Sequence, residues 1–174
     1  MHLTAQEDYM RTLALLALAA FAAAQPNQEK ITKEIRHELV MLPYYGVFDN
    51  LAYRVDGTKV TLFGQVTKPT LKSDAERVVK KIEGVELVQN EIEVLPLSPN
   101  DDRIRRAVYQ AIFSKPSLQR YQMGAVPPIH IIVKNGNVTL LGPVSNEGDK
   151  TIAGMAANGV SGVFGVTNNL TVEK

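Results

Sequence analysis

The sequence predicts an α+β protein made of two tandem αββαβ modules, each a small three-stranded sheet covered by two helices. Three observations lead there. Val60-Thr61-Leu62-Phe63-Gly64-Gln65-Val66 returns as Val138-Thr139-Leu140-Leu141-Gly142-Pro143-Val144, an offset of 78 residues (138 − 60). The same offset carries Gly84-Val85 onto Gly162-Val163, Val88 onto Val166, Asn90 onto Asn168 and Val94 onto Val172. Apolar spacing also changes from helical to strand-like at matching places in both halves. One offset held across several elements marks a duplicated small domain, not a solenoid unit. A module of roughly 70 residues has a thin core, so packing of one copy on the other is physically reasonable.

The first module takes residues 25–97. Asn27 is a good N-cap, and Ile31, Ile35, Leu39 and Leu42 follow at helical spacing until Pro43 stops the helix. The next loop carries Tyr44, Tyr45 and Phe48. These aromatics can anchor an interface or cap the end of their own core. Leu51–Val55, the turn Asp56-Gly57 and Lys59–Val66 read as a hairpin. A second helix after Pro69 has Ala75, Val78, Val79 and Ile82 as its apolar face, with Gly84 as C-cap. Val85–Leu95 closes the module as a strand.

Pro96-Leu97-Ser98-Pro99 is a short, stiff linker. The second module takes residues 98–174. Ile104, Val108 and Ile112 repeat Ile31, Ile35 and Leu39 at an offset of 73 (104 − 31). The two offsets differ because a five-residue insertion (78 − 73) falls within Ser114–Pro128. Ile129–Val133, the turn Asn135-Gly136 and Asn137–Val144 form the second hairpin, since Asn-Gly between apolar runs favours a tight turn. A helix over 147–160 and a strand over Val163–Val172 complete it. Strand order is not readable, but a parallel pairing of the second and third strands requires a right-handed crossover.

Residues 1–24 read as an export signal, with Met10 as the true start. Met10-Arg11 is basic, Thr12–Phe21 is apolar, and Ala22-Ala23-Ala24 suits cleavage before Gln25. The apolar run is shorter than the ~20 residues that span a bilayer, so the mature chain is expected to have no transmembrane span. The chain is therefore expected to be exported from the cytoplasm. It has no cysteine, which excludes disulfides, thiolate nucleophiles and a lipidated N-terminal cysteine. Residues 25–97 hold 10 basic and 11 acidic groups, and residues 98–174 hold 8 and 5. The near balance argues against nucleic acid as partner. The shift from −1 to +3 points to divided labour between the copies.

The helix–hairpin–helix–strand order, the Asn-Gly-x-Val-Thr-Leu-x-Gly-x-Val phrase and the closing Gly-Val-x-x-Val-x-Asn phrase resemble the BON domain, named for bacterial osmotically inducible and nodulation proteins. The resemblance covers about residues 28–172. It implies an αββαβ fold, life in the bacterial envelope, binding to phospholipid surfaces and no catalysis. It supplies no universal functional residues.

The residues themselves provide no catalytic constellation. His37 and His130 stand apart from any nucleophile, paired base or third metal ligand, so no catalytic residue, metal or cofactor is expected. Gly64 and Gly142 read as structural glycines where a strand bends, the other reading being close approach to a ligand. Gly84 and Gly162 join them as structural positions. The least ordinary segment is the first helix of module two. Stepping 100° per residue from Ile104 places Val108, Ala111, Ile112 and Ala107 on the core face. Arg105, Arg106, Tyr109 and Phe113 gather on the far side, and Lys115, Arg120 and Tyr121 of the inserted loop can extend that patch. Arginines beside aromatics suit a membrane interface and its phosphates. The competing reading packs Tyr109 and Phe113 under the second helix, made thin by Gly154, Ala156, Ala157 and Gly159, or against module one. Two functions follow: binding of an anionic phospholipid surface through module two, or a protein-binding periplasmic adaptor or stress-related chaperone that contacts envelope proteins.

Overall fold

A computed structural model describes residues 28–124 and 126–173. The export signal and the Asn27 cap lie outside the described residues. In module one, helix α1 (28–40) precedes β1 (Asn50–Asp56), β2 (Lys59–Val66), α2 (Pro69–Val79), β3 (Leu87–Asn90) and β4 (Glu93–Val94). In module two, α3 (Pro99–Phe113) leads to a 3-10 turn (Gln119–Gln122), β5 (His130–Lys134), β6 (Asn137–Val144), α4 (Glu147–Asn158) and β7 (Gly165–Val172). The 3-10 turn lies in the insertion, where the sequence carries no periodic signal.

Both sheets are mixed. β1 pairs antiparallel with β2, and β3 and β4 pair parallel with it in one continuous register, Lys59 with Leu87 and Val66 with Val94. The expected third strand is therefore present in two pieces. Module two repeats the order as β5-β6-β7, with β7 unbroken. Each parallel strand is strapped to its helix by the repeated asparagine. Asn90 Nδ2 donates to Lys72 O (2.9 Å) and Asn168 Nδ2 to Lys150 O (2.7 Å). Asn90 and Asn168 are thus repeated for one structural reason: each satisfies a carbonyl near a helix start across the parallel crossover.

The cores follow the periodicities. Ile31, Ile35, Leu39, Val60, Leu62 and Leu71 anchor the first, and Ile104, Val108, Ile112, Ile131, Leu140 and Leu170 the second. α2 ends at Val79 and α4 at Asn158, so Gly84 and Gly162 are not helix caps. They lie in the turns that follow, both at positive φ (+89° and +90°). Bonds from Lys81 N to Val78 O and Ile82 N to Val79 O tighten the chain after α2 before Gly84 is reached.

Gly64 and Gly142 have φ of +118° and +112°. A Cβ at Gly64 would lie 2.1 Å from Asn50 O, and one at Gly142 1.9 Å from Pro128 O. The close approach at these two positions is to the protein's own hairpin, where the first strand enters the sheet.

Candidate functional site

The two modules meet through the aromatic loop of the first. Val47 O accepts from Ile131 N (2.7 Å), so the loop covers the outer edge of β5. Phe48 packs on the second core and meets Tyr109 edge-on at 6.1 Å, and Tyr109 in turn contacts Phe113 at 4.7 Å. Tyr45 stacks on His130 at 5.6 Å. Lys134 Nζ reaches Glu93 Oε1 at 2.5 Å. The loop forms because Asp49, itself buried, gathers Thr67 N (2.7 Å), Thr67 Oγ1 (2.8 Å) and Gly46 N (3.2 Å) on its carboxylate. Burial holds His130 below the ordinary imidazole range, against the opposing influence of Asp49 and Gly46, and Nδ1 has no hydrogen-bond partner among the described residues. Burial also pushes the Tyr45 hydroxyl up to about 12.

This seam corrects the outward face expected on α3. Arg105 is 4% exposed, and Phe113 and Tyr121 are also buried, while Tyr109 is half-buried. The helical wheel assumed one buried side. In the structure α3 touches β5, α4 and the loop of module one, so its buried arc is much wider. Arg105 Nη1 donates to Asp102 (2.5 Å) and Nη2 to Val133 O (2.7 Å), closing the end of β5. Arg106, Lys115 and Arg120 remain exposed.

Tyr121 has a structural place that the sequence did not reveal. Its hydroxyl accepts from Ser145 N (2.8 Å) and contacts Asp149 Oδ2 (2.7 Å) and Ser145 Oγ (3.0 Å). Ser145 is the repeat of Thr67 (145 − 67 = 78), so Tyr121 does in module two what Asp49 does in module one. Asp149 also binds Arg120 and Asn146. Burial works to raise the Asp149 carboxyl, but the bonds from Tyr121, Arg120 and Asn146 outweigh it and hold it below the usual range. Tyr121→Phe should therefore lower stability by about 1–3 kcal/mol at neutral pH. Because a depressed carboxylate contributes stability above its unfolded pKa, the gap between variant and wild type should narrow as pH falls through the folded value. Urea melts at pH 7 and in acid check this, and an unchanged midpoint at pH 7 sinks it.

Two clefts flank Phe48. One, of about 460 Å³, is lined by Lys68, Leu95, Pro96, Leu97, Arg105 and Arg106. The other, of about 510 Å³, is lined by Val47, Phe48, Arg106, Tyr109, Gln122 and Pro127. Lys68 Nζ, which lines the first, lies 4.1 Å from the centre of the Tyr44 ring. Neither Lys68 nor Arg106 makes an ion pair among the described residues. No group of three or more candidate metal ligands forms among them. No described helix is long and apolar enough to cross a membrane.

The family model described as the BON domain matches residues 27–96 and again 100–174. Similar solved structures include CdsD, a structural protein of the Type III secretion system of Chlamydia trachomatis. It is 11% identical over 83% of this chain and 92% of that one, with a TM-score of 0.33. A second is the C-terminal domain of CdsD, 11% identical over 82% of this chain and 96% of that one, with a TM-score of 0.28. Among curated proteins no match is found.

Proposed function

The chain belongs to the BON domain family, and we propose that it is a non-catalytic, exported envelope protein that binds anionic phospholipid surfaces from the periplasm. One observation carries the reading. Leu97 (96% exposed) lines the smaller cleft with Lys68 and Arg106, cations that make no ion pair among the described residues, and the Tyr44 ring (75% exposed) lies under Lys68. An exposed aromatic and an aliphatic side chain next to basic groups suit the boundary between headgroups and acyl chains. The contact thus moves from the α3 face to the seam. Of the residues first expected there, Arg106 belongs to it, and Lys115 and Arg120 are exposed charges that can add to it.

Each cation near an anionic surface contributes about 1 kcal/mol, and salt screens it. Lys68→Glu with Arg106→Glu should therefore weaken vesicle binding by more than about tenfold at low salt. The measurement is sedimentation with vesicles of varied anionic content. Equal binding by the variant, or no dependence on lipid charge, overturns the reading.

The second reading, a protein-binding adaptor or stress-related chaperone, draws on the larger cleft. Its walls of Val47, Phe48, Tyr109 and Pro127 are apolar enough to hold an extended polypeptide. That reading takes the lead if the protein suppresses aggregation of a denatured client while the charge-reversed variant sediments with vesicles as wild type does.

A further inference from the structure

We propose that the seam between the modules is an acid-sensitive latch, which a proton on His130 releases. The proposal does not depend on what the clefts beside Phe48 bind. His130 stands on β5, yet the side chains that line a third cleft with it all belong to module one. That cleft, of about 340 Å³, is formed with Arg36, Leu39, Val40, Tyr45, Leu51 and Tyr53. Tyr45 stacks on the imidazole at 5.6 Å. The next residue, Ile131, makes the backbone bond across the seam, to Val47 O at 2.7 Å. The repeat of His130 in module one is Ala52 (130 − 78), so this ring has no counterpart there.

A neutral imidazole suits the seam and an imidazolium does not. Nδ1 is buried and has no hydrogen-bond partner among the described residues. The protonated ring carries a proton on both nitrogens, so Nδ1–H would be a buried charged donor without an acceptor. Arg36 on α1 brings a like charge to the same cleft. Asp49 and the Gly46 backbone act the other way, but the Asp49 carboxylate already accepts from Thr67 N, Thr67 Oγ1 and Gly46 N. Burial outweighs them. The phenols of Tyr45 and Tyr53 are both pushed up by burial, that of Tyr45 to about 12, so neither ionises in acid. On β6 the residue opposite His130 is Leu141, which brings no charge. At the other end of β5, Lys134 pairs with Glu93 across the seam.

When the modules part, the ring meets water and regains an ordinary pKa of about 6.5. Well above that value the ring is neutral in both forms, and docking does not depend on its titration. As pH falls below it, the parted form takes up its proton first. Docking then weakens, by at most about tenfold per pH unit, until the docked form is protonated too. The loop leaves with the latch, so both clefts that flank Phe48 lose a wall.

Hydrogen exchange at the Ile131 amide, read by NMR and corrected for the intrinsic rate, tests this. Its protection should fall by about fivefold or more between about pH 7.5 and about pH 5.5. Glu91 N, which donates to Leu62 O, and Phe164 N, which donates to Gly136 O, report each module alone and should keep their protection. His130→Phe keeps a ring against Tyr45 and removes the titrating group, so protection of its Ile131 amide should stay level over the same range. The wild-type imidazole should titrate below its ordinary value, a readout that needs no variant and decides the matter if His130→Phe does not fold. Wild-type protection at Ile131 that holds in acid overturns the proposal. So does an equal loss in His130→Phe, an equal loss at the two reference amides, or an imidazole that titrates at or above its ordinary value.

Discussion

Gly142→Ala should destabilise module two by about 3 kcal/mol or more, the largest effect of any single methyl group added to this protein. Two costs combine at that position. The backbone φ of +112° lies in a region that L side chains rarely occupy. The added Cβ would also lie 1.9 Å from Pro128 O, a backbone atom that cannot swing aside without moving the start of the hairpin. Gly64→Ala should do the same to module one, where Asn50 O stands 2.1 Å from the new carbon. Gly57→Ala is the control. It also sits at positive φ (+60°), but nothing lies within 4 Å, so it should cost only about 1 kcal/mol. Urea denaturation of the three variants checks the ranking. Equal midpoints for Gly57→Ala and Gly142→Ala would show that close backbone approach is not what the glycine serves.

That glycine explains why so much of the fold was legible in the sequence. The repeated Val-Thr-Leu-x-Gly-x-Val phrase couples alternating strand chemistry to one residue that only a sharp local approach requires. β2 and β6 accordingly span Lys59–Val66 and Asn137–Val144, as their alternation predicts. Asn90 and Asn168 were visible as repeats, although their strap to the helix carbonyls was not, since a lone polar residue in a strand does not announce its partner. Strand order was hidden for the same reason: periodicity says which face is buried, not which neighbour pairs.

The candidate site was less legible because it belongs to neither module alone. Helical spacing correctly set Ile104, Val108 and Ile112 inside. It could not register that Val47 and Phe48, far away in sequence, cover a second side of α3. Tyr121 was hidden by the insertion, where module one offers no template. The signal that could have found it is subtler. Module one satisfies Thr67 N with Asp49, and the position 78 residues on from Asp49 is Pro127, which has no acceptor side chain. Some other residue had to bind Ser145 N, and the inserted loop is the natural place to seek it.

Arg105 and Arg106, neighbours in sequence, should behave as opposites. Arg105→Glu should destabilise module two by about 3–5 kcal/mol. The guanidinium is buried between Asp102 and Val133 O, and both accept its hydrogen bonds at 2.5 and 2.7 Å. A glutamate there would face a carboxylate and a carbonyl with no donor among the three. Arg105→Leu fills the space but leaves Val133 O unbonded, and should cost about 1–3 kcal/mol. Arg106→Glu, at an exposed position without an ion pair among the described residues, should leave stability within about 0.5 kcal/mol while weakening binding to anionic vesicles. The pair separates folding from function on one turn of one helix. A charge reversal of both at once cannot, because lost binding would then report an unfolded module. Urea melts run beside vesicle sedimentation make the distinction. If Arg105→Glu melts with the wild type and only loses vesicle binding, the guanidinium lies in solvent and the outward face of α3 is restored as the membrane contact. If Arg106→Glu is the variant that unfolds, the seam is packed differently from this structure, and the cleft lined by Lys68, Leu97 and Arg106 loses its claim as the binding surface.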